Sequence, residues 1–183
     1  FDCPTIAKPQ NVGGKHNEQN KLTMADINKQ TPEFMDFMFN GLDHGVNSIS
    51  DGGGPLVPFL MTQIGDKKEL KRFVTEKYEE GIAVAEKTVK DMTPKPDFAL
   101  IAFDGFITWE EKKYDAIFVK AFDKTQDEGF EFCQRYVPRA EGNGIQPIGN
   151  SAFIGKTNNI LISSDNIKTD ETLIQKKKPW WKF

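Results

Sequence analysis

The chain has 183 residues, 38% of them hydrophobic with 15 Phe, which fits one globular domain with tails and excludes wholesale disorder. A net charge of −3 argues against a general nucleic-acid binder. Two distant cysteines, Cys3 and Cys133, with no Cys-x-x-Cys pair, exclude a disulfide framework and a zinc ribbon, and two histidines give little material for a metal cluster.

Phe1–Thr23 is polar and punctuated by Pro4, Pro9, Gly13 and Gly14, and reads as a mobile N-terminal arm, residues 1–23. Thr31-Pro32-Glu33 is a helix start: Thr31 caps, Pro32 suits the first helical position, and Glu33 suits the positive end of the dipole. Phe34, Phe37, Met38, Leu42 and Ile49 recur at helical spacing. Gly41 and Gly45 are expected to let a neighbouring element approach that helix closely. The helix should stop by Ser50-Asp51-Gly52-Gly53-Gly54, a Gly run that reads as a flexible joint.

Leu56–Ile64 reads as a strand, which Pro55 and Pro58 push toward a sheet edge, and Glu69–Val74 as its hairpin partner. Thr75 is expected to cap a second helix from Glu76 to about Met92, with Tyr78, Ile82, Ala85 and Val89 as its apolar stripe. Phe98–Phe103 and Tyr114–Phe122 then carry apolar residues on both faces, so the sheet needs cover on both sides. Asp104-Gly105 is expected to turn the chain before Ile107–Trp109, and Glu110–Lys113 to form a charged hairpin tip. Phe130–Val137 is the next strand, Pro138–Gly149 a loop, and Ser151–Ile154 with Asn159–Ser163 a late hairpin or a single strand. The order, helices and a hairpin before a meander, predicts an α+β single domain over residues 24–164: a mainly antiparallel sheet, meander plus hairpin, packed with two principal helices. If both helices share one face, the other invites a homodimer.

No complete catalytic motif is present, which leans against an enzyme, and no cofactor is implied. Gly155-Lys156-Thr157 lacks the upstream Gly of a phosphate loop and is followed by a strand pattern, so it reads as a plain turn. Asp104, Asp115 and Lys120 fail as a nuclease core, since Asp115 and Lys120 point to opposite strand faces. His44 reads as a helix-surface residue without a nucleophile. Gln134, Arg135 and Tyr136 interrupt an apolar strand. With Asp104 they form a candidate ligand pocket, against the alternative of a satisfied polar group with Arg135 paired to Glu131 or another acid.

The leading lead is the basic-aromatic tail, residues 165–183. Lys176, Lys177, Lys178, Trp180, Trp181 and Phe183 are candidate partner-binding residues, because exposed aromatics are costly in water. The tail either completes the core, docks into a protein partner, or rests on an anionic membrane surface. The expectation is therefore a cytoplasmic, non-catalytic protein-interaction module that uses its sheet face or tail. The alternative is a small-molecule-binding protein or enzyme with a pocket between sheet and helices.

Overall fold

A computed structural model of the chain describes residues 29–52 and 54–162, so the N-terminal arm (1–23), the tail (165–183) and the ends of the expected domain at 24–28 and 163–164 lie outside the described residues. Among the described residues, two helices and seven strands follow in the order α1 (Pro32–Ile49), β1 (Phe59–Ile64), β2 (Lys67–Arg72), α2 (Tyr78–Asp91), β3 (Phe98–Trp109), β4 (Lys112–Asp123), β5 (Glu128–Pro138), β6 (Ile145–Pro147) and β7 (Ala152–Asn158). The strands form one antiparallel sheet in the order β2-β1-β3-β4-β5-β6, with β7 also paired to β5. The α+β expectation therefore holds.

The helices cover opposite faces, as the doubly apolar strands require. On one face Phe34, Phe37, Met38, Leu42 and Ile49 of α1 pack on Phe59, Leu100, Ile117, Val119 and Phe132. On the other, Ala85 and Val89 of α2 pack on Leu60, Ala99, Ile101 and Phe122. Each fully buried Phe stabilises the fold by roughly 1.5–3 kcal/mol. The condition set for a dimer, both helices on one face, is not met.

Thr31 caps α1 by accepting a hydrogen bond from the Phe34 amide at 3.3 Å. Gly41 and Gly45 lie buried against the sheet. A Cβ on Gly41 would come within 2.2 Å of the Leu100 side chain, and one on Gly45 within 3.1 Å of Ile117. The close neighbour is thus a pair of core side chains.

Several local expectations change. β1 is the second strand, with β2 outside it as a fully exposed, charge-rich edge, KKELKR. Pro58 precedes β1 and does not block pairing; its carbonyl accepts the Phe73 amide at 2.8 Å. α2 begins at Tyr78 with no side-chain cap, and the Thr75 hydroxyl bonds the Lys77 carbonyl instead. Asp104-Gly105 is not a turn. β3 runs straight through it, because β4 pairs with β3 along its whole length, from Phe98 opposite Asp123 to Trp109 opposite Lys112. The chain reverses at Glu110-Glu111, both with positive φ (49° and 64°). Residues 155–157 belong to β7, where Gly155, Lys156 and Thr157 oppose Glu131, Phe130 and Gly129. The expected 138–149 loop contains the short β6.

Candidate functional site

β3 outruns its neighbour. β1 begins at Phe59, opposite Ala102, so from Phe103 onward β3 has no strand on that side. The backbone there needs other partners. The Asp104 amide donates to the Tyr78 hydroxyl, which in turn donates to the Leu56 carbonyl at 2.8 Å. The Leu56 amide closes the circuit by donating to Asp104 Oδ2 at 2.9 Å. Tyr78 and Asp104 thereby clamp the segment that leads into β1.

The Asp104 carboxylate also accepts from the Gly105 amide at 3.0 Å and from the Tyr136 hydroxyl, 2.9 Å from both of its oxygens. Tyr136 reaches it because β5 places Tyr136 opposite Asp115, whose other neighbour on β3 is Phe106. Asp104, Asp115, Tyr136, Tyr78 and Phe106 line a cavity of about 510 Å³, closed by Gly54, Pro55, Pro138, Gly144 and Ile145. A Cβ on Gly54 would press within 3.1 Å of Asp104 Oδ2 and 3.4 Å of the Tyr136 hydroxyl, so the absent side chain keeps that wall open.

Burial raises the Asp104 pKa above its ordinary value, with repulsion from Asp115 adding to it; the three hydrogen-bond donors pull the other way and lose. Burial also raises Tyr136, helped by its bond to Asp104, and pushes Tyr78 up to about 12. Both phenols therefore stay protonated at neutral pH and act as donors, not as bases. The Asp115 side chain is half-buried and, among the described residues, makes no hydrogen bond or ion pair. It is the unmatched charge of the cavity. On the same hairpin, the Lys113 ammonium lies 3.9 Å from the centre of the Phe106 ring.

Of the four expected pocket residues, the structure brings together Asp104 and Tyr136 and separates the other two. Gln134 shares the Tyr136 face but lies in a second cavity, and its Nε2 donates to the carbonyls of Arg135, Ile148 and Gly149. It ties the β6–β7 connection to β5. Arg135 lies on the opposite face, as strand alternation demands. It is paired with no acid among the described residues: its guanidinium stacks on Trp109 at 4.4 Å and Tyr114 at 5.6 Å. The expected pairing with Glu131 does not form.

Tyr78, Asp115 and Phe106 were missed as pocket residues. Asp115 and Phe106 were legible in principle, since a two-residue tip at Glu110-Glu111 fixes the register that makes them neighbours. Tyr78 comes from a different element and carries no such signal.

The remaining reactive side chains stand apart. Cys133 is a buried free thiol, raised by burial to about 11, so it is a poor nucleophile. His44 is half-buried rather than free on the helix surface. Its ring meets Phe59 edge-on at 5.1 Å, its Nε2 lies 3.1 Å from Arg72, and burial, then Arg72, lowers its pKa. Among the described residues no three of His, Cys, Asp and Glu cluster to hold a metal ion, and no helix is long and apolar enough to cross a membrane. Lys176, Lys177, Lys178, Trp180, Trp181 and Phe183 lie outside the described residues. No protein-family model, curated protein or solved structure matches the chain.

Proposed function

We propose that this protein binds a small organic cation, such as an amine, in the cavity lined by Asp104 and Asp115. One observation carries the reading: among the described residues the half-buried Asp115 carboxylate has no hydrogen-bond or ion-pair partner, and it lines a cavity whose lining residues include no Lys or Arg. The aromatic wall supports it. Phe106 is 63% exposed, and its ring already accepts an ammonium, that of Lys113. Asp104 and Tyr136 would fix the ligand's polar end, and Tyr78 holds the wall they stand on. The buried, unpaired Cys133 thiol suits a reducing, cytoplasmic setting.

The test is thermal unfolding of the full chain with spermidine, choline and glucosamine, against neutral and anionic compounds of similar size. A ligand at 100 times its Kd stabilises by about 2.7 kcal/mol, an easily read shift in Tm. An amine should give that shift, and Asp115→Asn should remove it while leaving the unliganded stability within about 0.5 kcal/mol, since the side chain makes no hydrogen bond or ion pair to lose. No shift with any amine, or a shift that Asp115→Asn leaves intact, overturns the reading.

A second reading, a protein-interaction module or homodimer, draws on the end of the α2 face that α2 does not cover. There Trp109 is 38% exposed beneath Arg135. Sedimentation of the full chain with and without Trp109→Ala tests it; a monomer in both cases removes the homodimer.

A further inference from the structure

A second cavity, of about 420 Å³, opens between α1 and the outer edge of the sheet. It lies within the ~300–1,000 Å³ range of ligand clefts. Met35, Met38 and Phe39 of α1 form one wall, and Phe130, Phe132 and Phe153 the other. Phe39 is 43% exposed, although its ring lies 6.0 Å from that of Phe132. Methionine and aromatic linings adapt to large apolar side chains.

The charge around this groove has one sign on the helix side. Between Pro32 and Ile49 the charged side chains are Glu33, Asp36 and Asp43, with no Lys or Arg. Asp36 precedes Phe39 by three residues and Asp43 follows it by four, so both flank Phe39 on one row of the helix. An occupant with apolar rings and nearby positive charge matches that pattern.

The chain carries such a segment. Residues 176–183, KKKPWWKF, hold four lysines and three large aromatics. The reach suffices. Thirteen residues separate Ile162 from Lys176, and at ~3.3 Å each they span up to ~43 Å. β7, which runs from the groove to the last described turn, has seven residues and is only ~23 Å long.

We infer that the groove between α1 and β5–β7 is the intramolecular docking site of residues 176–183, with Trp180 or Trp181 inserted beside Phe39 and the lysines facing Asp36 and Asp43. Because the groove and the Asp104 cavity are separate, this inference stands whether or not an amine binds.

The test uses the full chain with Trp109→Phe, in which only Trp180 and Trp181 emit. Their fluorescence should be blue-shifted and shielded from iodide at low salt, and Phe39→Asp should abolish both effects with the far-UV spectrum unchanged. As a second measurement, the synthetic peptide 176–183 should bind the full chain carrying Trp180→Ala, Trp181→Ala and Phe183→Ala. That binding should be lost with Phe39→Asp and weaken at least tenfold between low and high salt. Quenching equal to that of the free peptide overturns the inference, as does peptide binding indifferent to Phe39→Asp. Shielding that disappears on dilution as a dimer dissociates overturns it in favour of a second copy. Shielding that appears only with phosphatidylserine vesicles overturns it in favour of a membrane surface.

Discussion

Tyr136→Phe isolates the central contact of the cavity. The substitution removes one hydroxyl and leaves the ring, so no large void forms. The lost bond runs from a buried phenol to both oxygens of the Asp104 carboxylate at 2.9 Å. A hydrogen bond to a charged group contributes about 1.5–3 kcal/mol net. The Leu56 and Gly105 amides still serve the carboxylate, so the charge is not stranded and the expected loss is about 2 kcal/mol at pH 7. With a urea m value near 2 kcal/mol/M the midpoint falls by about 1 M.

The pH dependence is the sharper part. Asp104 already titrates above its ordinary value of 3.8 in the folded state, and loss of a donor to the carboxylate raises it further. A group whose folded pKa is raised favours the fold fully below its unfolded pKa, and that contribution fades as pH rises through the folded pKa. The variant, with the higher folded pKa, therefore loses most at neutral pH. Below the wild-type folded pKa the carboxyl is neutral in both proteins, and the difference should shrink toward the roughly 0.5–1.5 kcal/mol of a neutral hydrogen bond. Urea titrations at pH 7 and near pH 3, below the ordinary 3.8 of the carboxyl, read both values. A loss under about 0.5 kcal/mol, or one independent of pH, refutes the assigned Tyr136–Asp104 geometry.

Amine affinity should fall as pH drops through the raised Asp104 pKa, beginning above 3.8, because protonation removes the Asp104 charge; calorimetric titration across pH 4–7 checks this. Gly41→Ala should destabilise by about 1 kcal/mol net despite a helix-propensity gain of about 1 kcal/mol, because its Cβ would overlap Leu100 in the core. Gly155→Ala, with nothing within 4 Å, serves as the neutral control in the same urea series. Gly144→Ala should cost at least about 2 kcal/mol and open one wall of the Asp104 cavity, since Gly144 has φ 104° and a Cβ would lie 1.9 Å from the Ser50 carbonyl oxygen. Calorimetric unfolding of that variant measures the loss.

The legible parts of this fold are those set by periodicity. Thr31-Pro32-Glu33 and the Phe34, Phe37, Met38, Leu42 stripe marked α1, and the apolar runs at 98–103 and 114–122 required two covered faces. The failures came where local chemistry competed with long-range pairing. Asp104-Gly105 has turn-forming residues, yet twelve residues of β4 pair past it and hold the strand extended. β6 has only three residues, too few to show a period. Arg135 looked like one half of an ion pair, but Trp109 and Tyr114 flank it on the same sheet face and take its guanidinium instead. The sequence separation of Tyr78 from Asp104, twenty-six residues, put the clamp of the cavity beyond any local pattern.

Both cavities have one origin, the mismatch between long and short strands. β3 and β4 have twelve residues each, whereas β1 has six. The excess length leaves backbone polar groups without a strand partner, and Tyr78, Leu56 and the Asp104 carboxylate meet that demand, which concentrates polar side chains at one end of the sheet. At the opposite edge β5 meets two short strands in turn, β6 at residues 136–138 and β7 at residues 128–133. The gap falls at Gln134 and Arg135, where the Gln134 amide and the Ile148 amide, which donates to the Arg135 carbonyl at 2.9 Å, close it. That connection supplies Gly149, Asn150 and Ser151 to the wall of the groove that Phe39 and Phe132 also line. One cavity therefore forms where a strand runs too long, and the other where the edge is divided. Lengthening β1 by pairing residues 54–58 with β3 would erase the first without touching the second, which is why amine binding and tail docking are separable by single substitutions at Asp115 and Phe39.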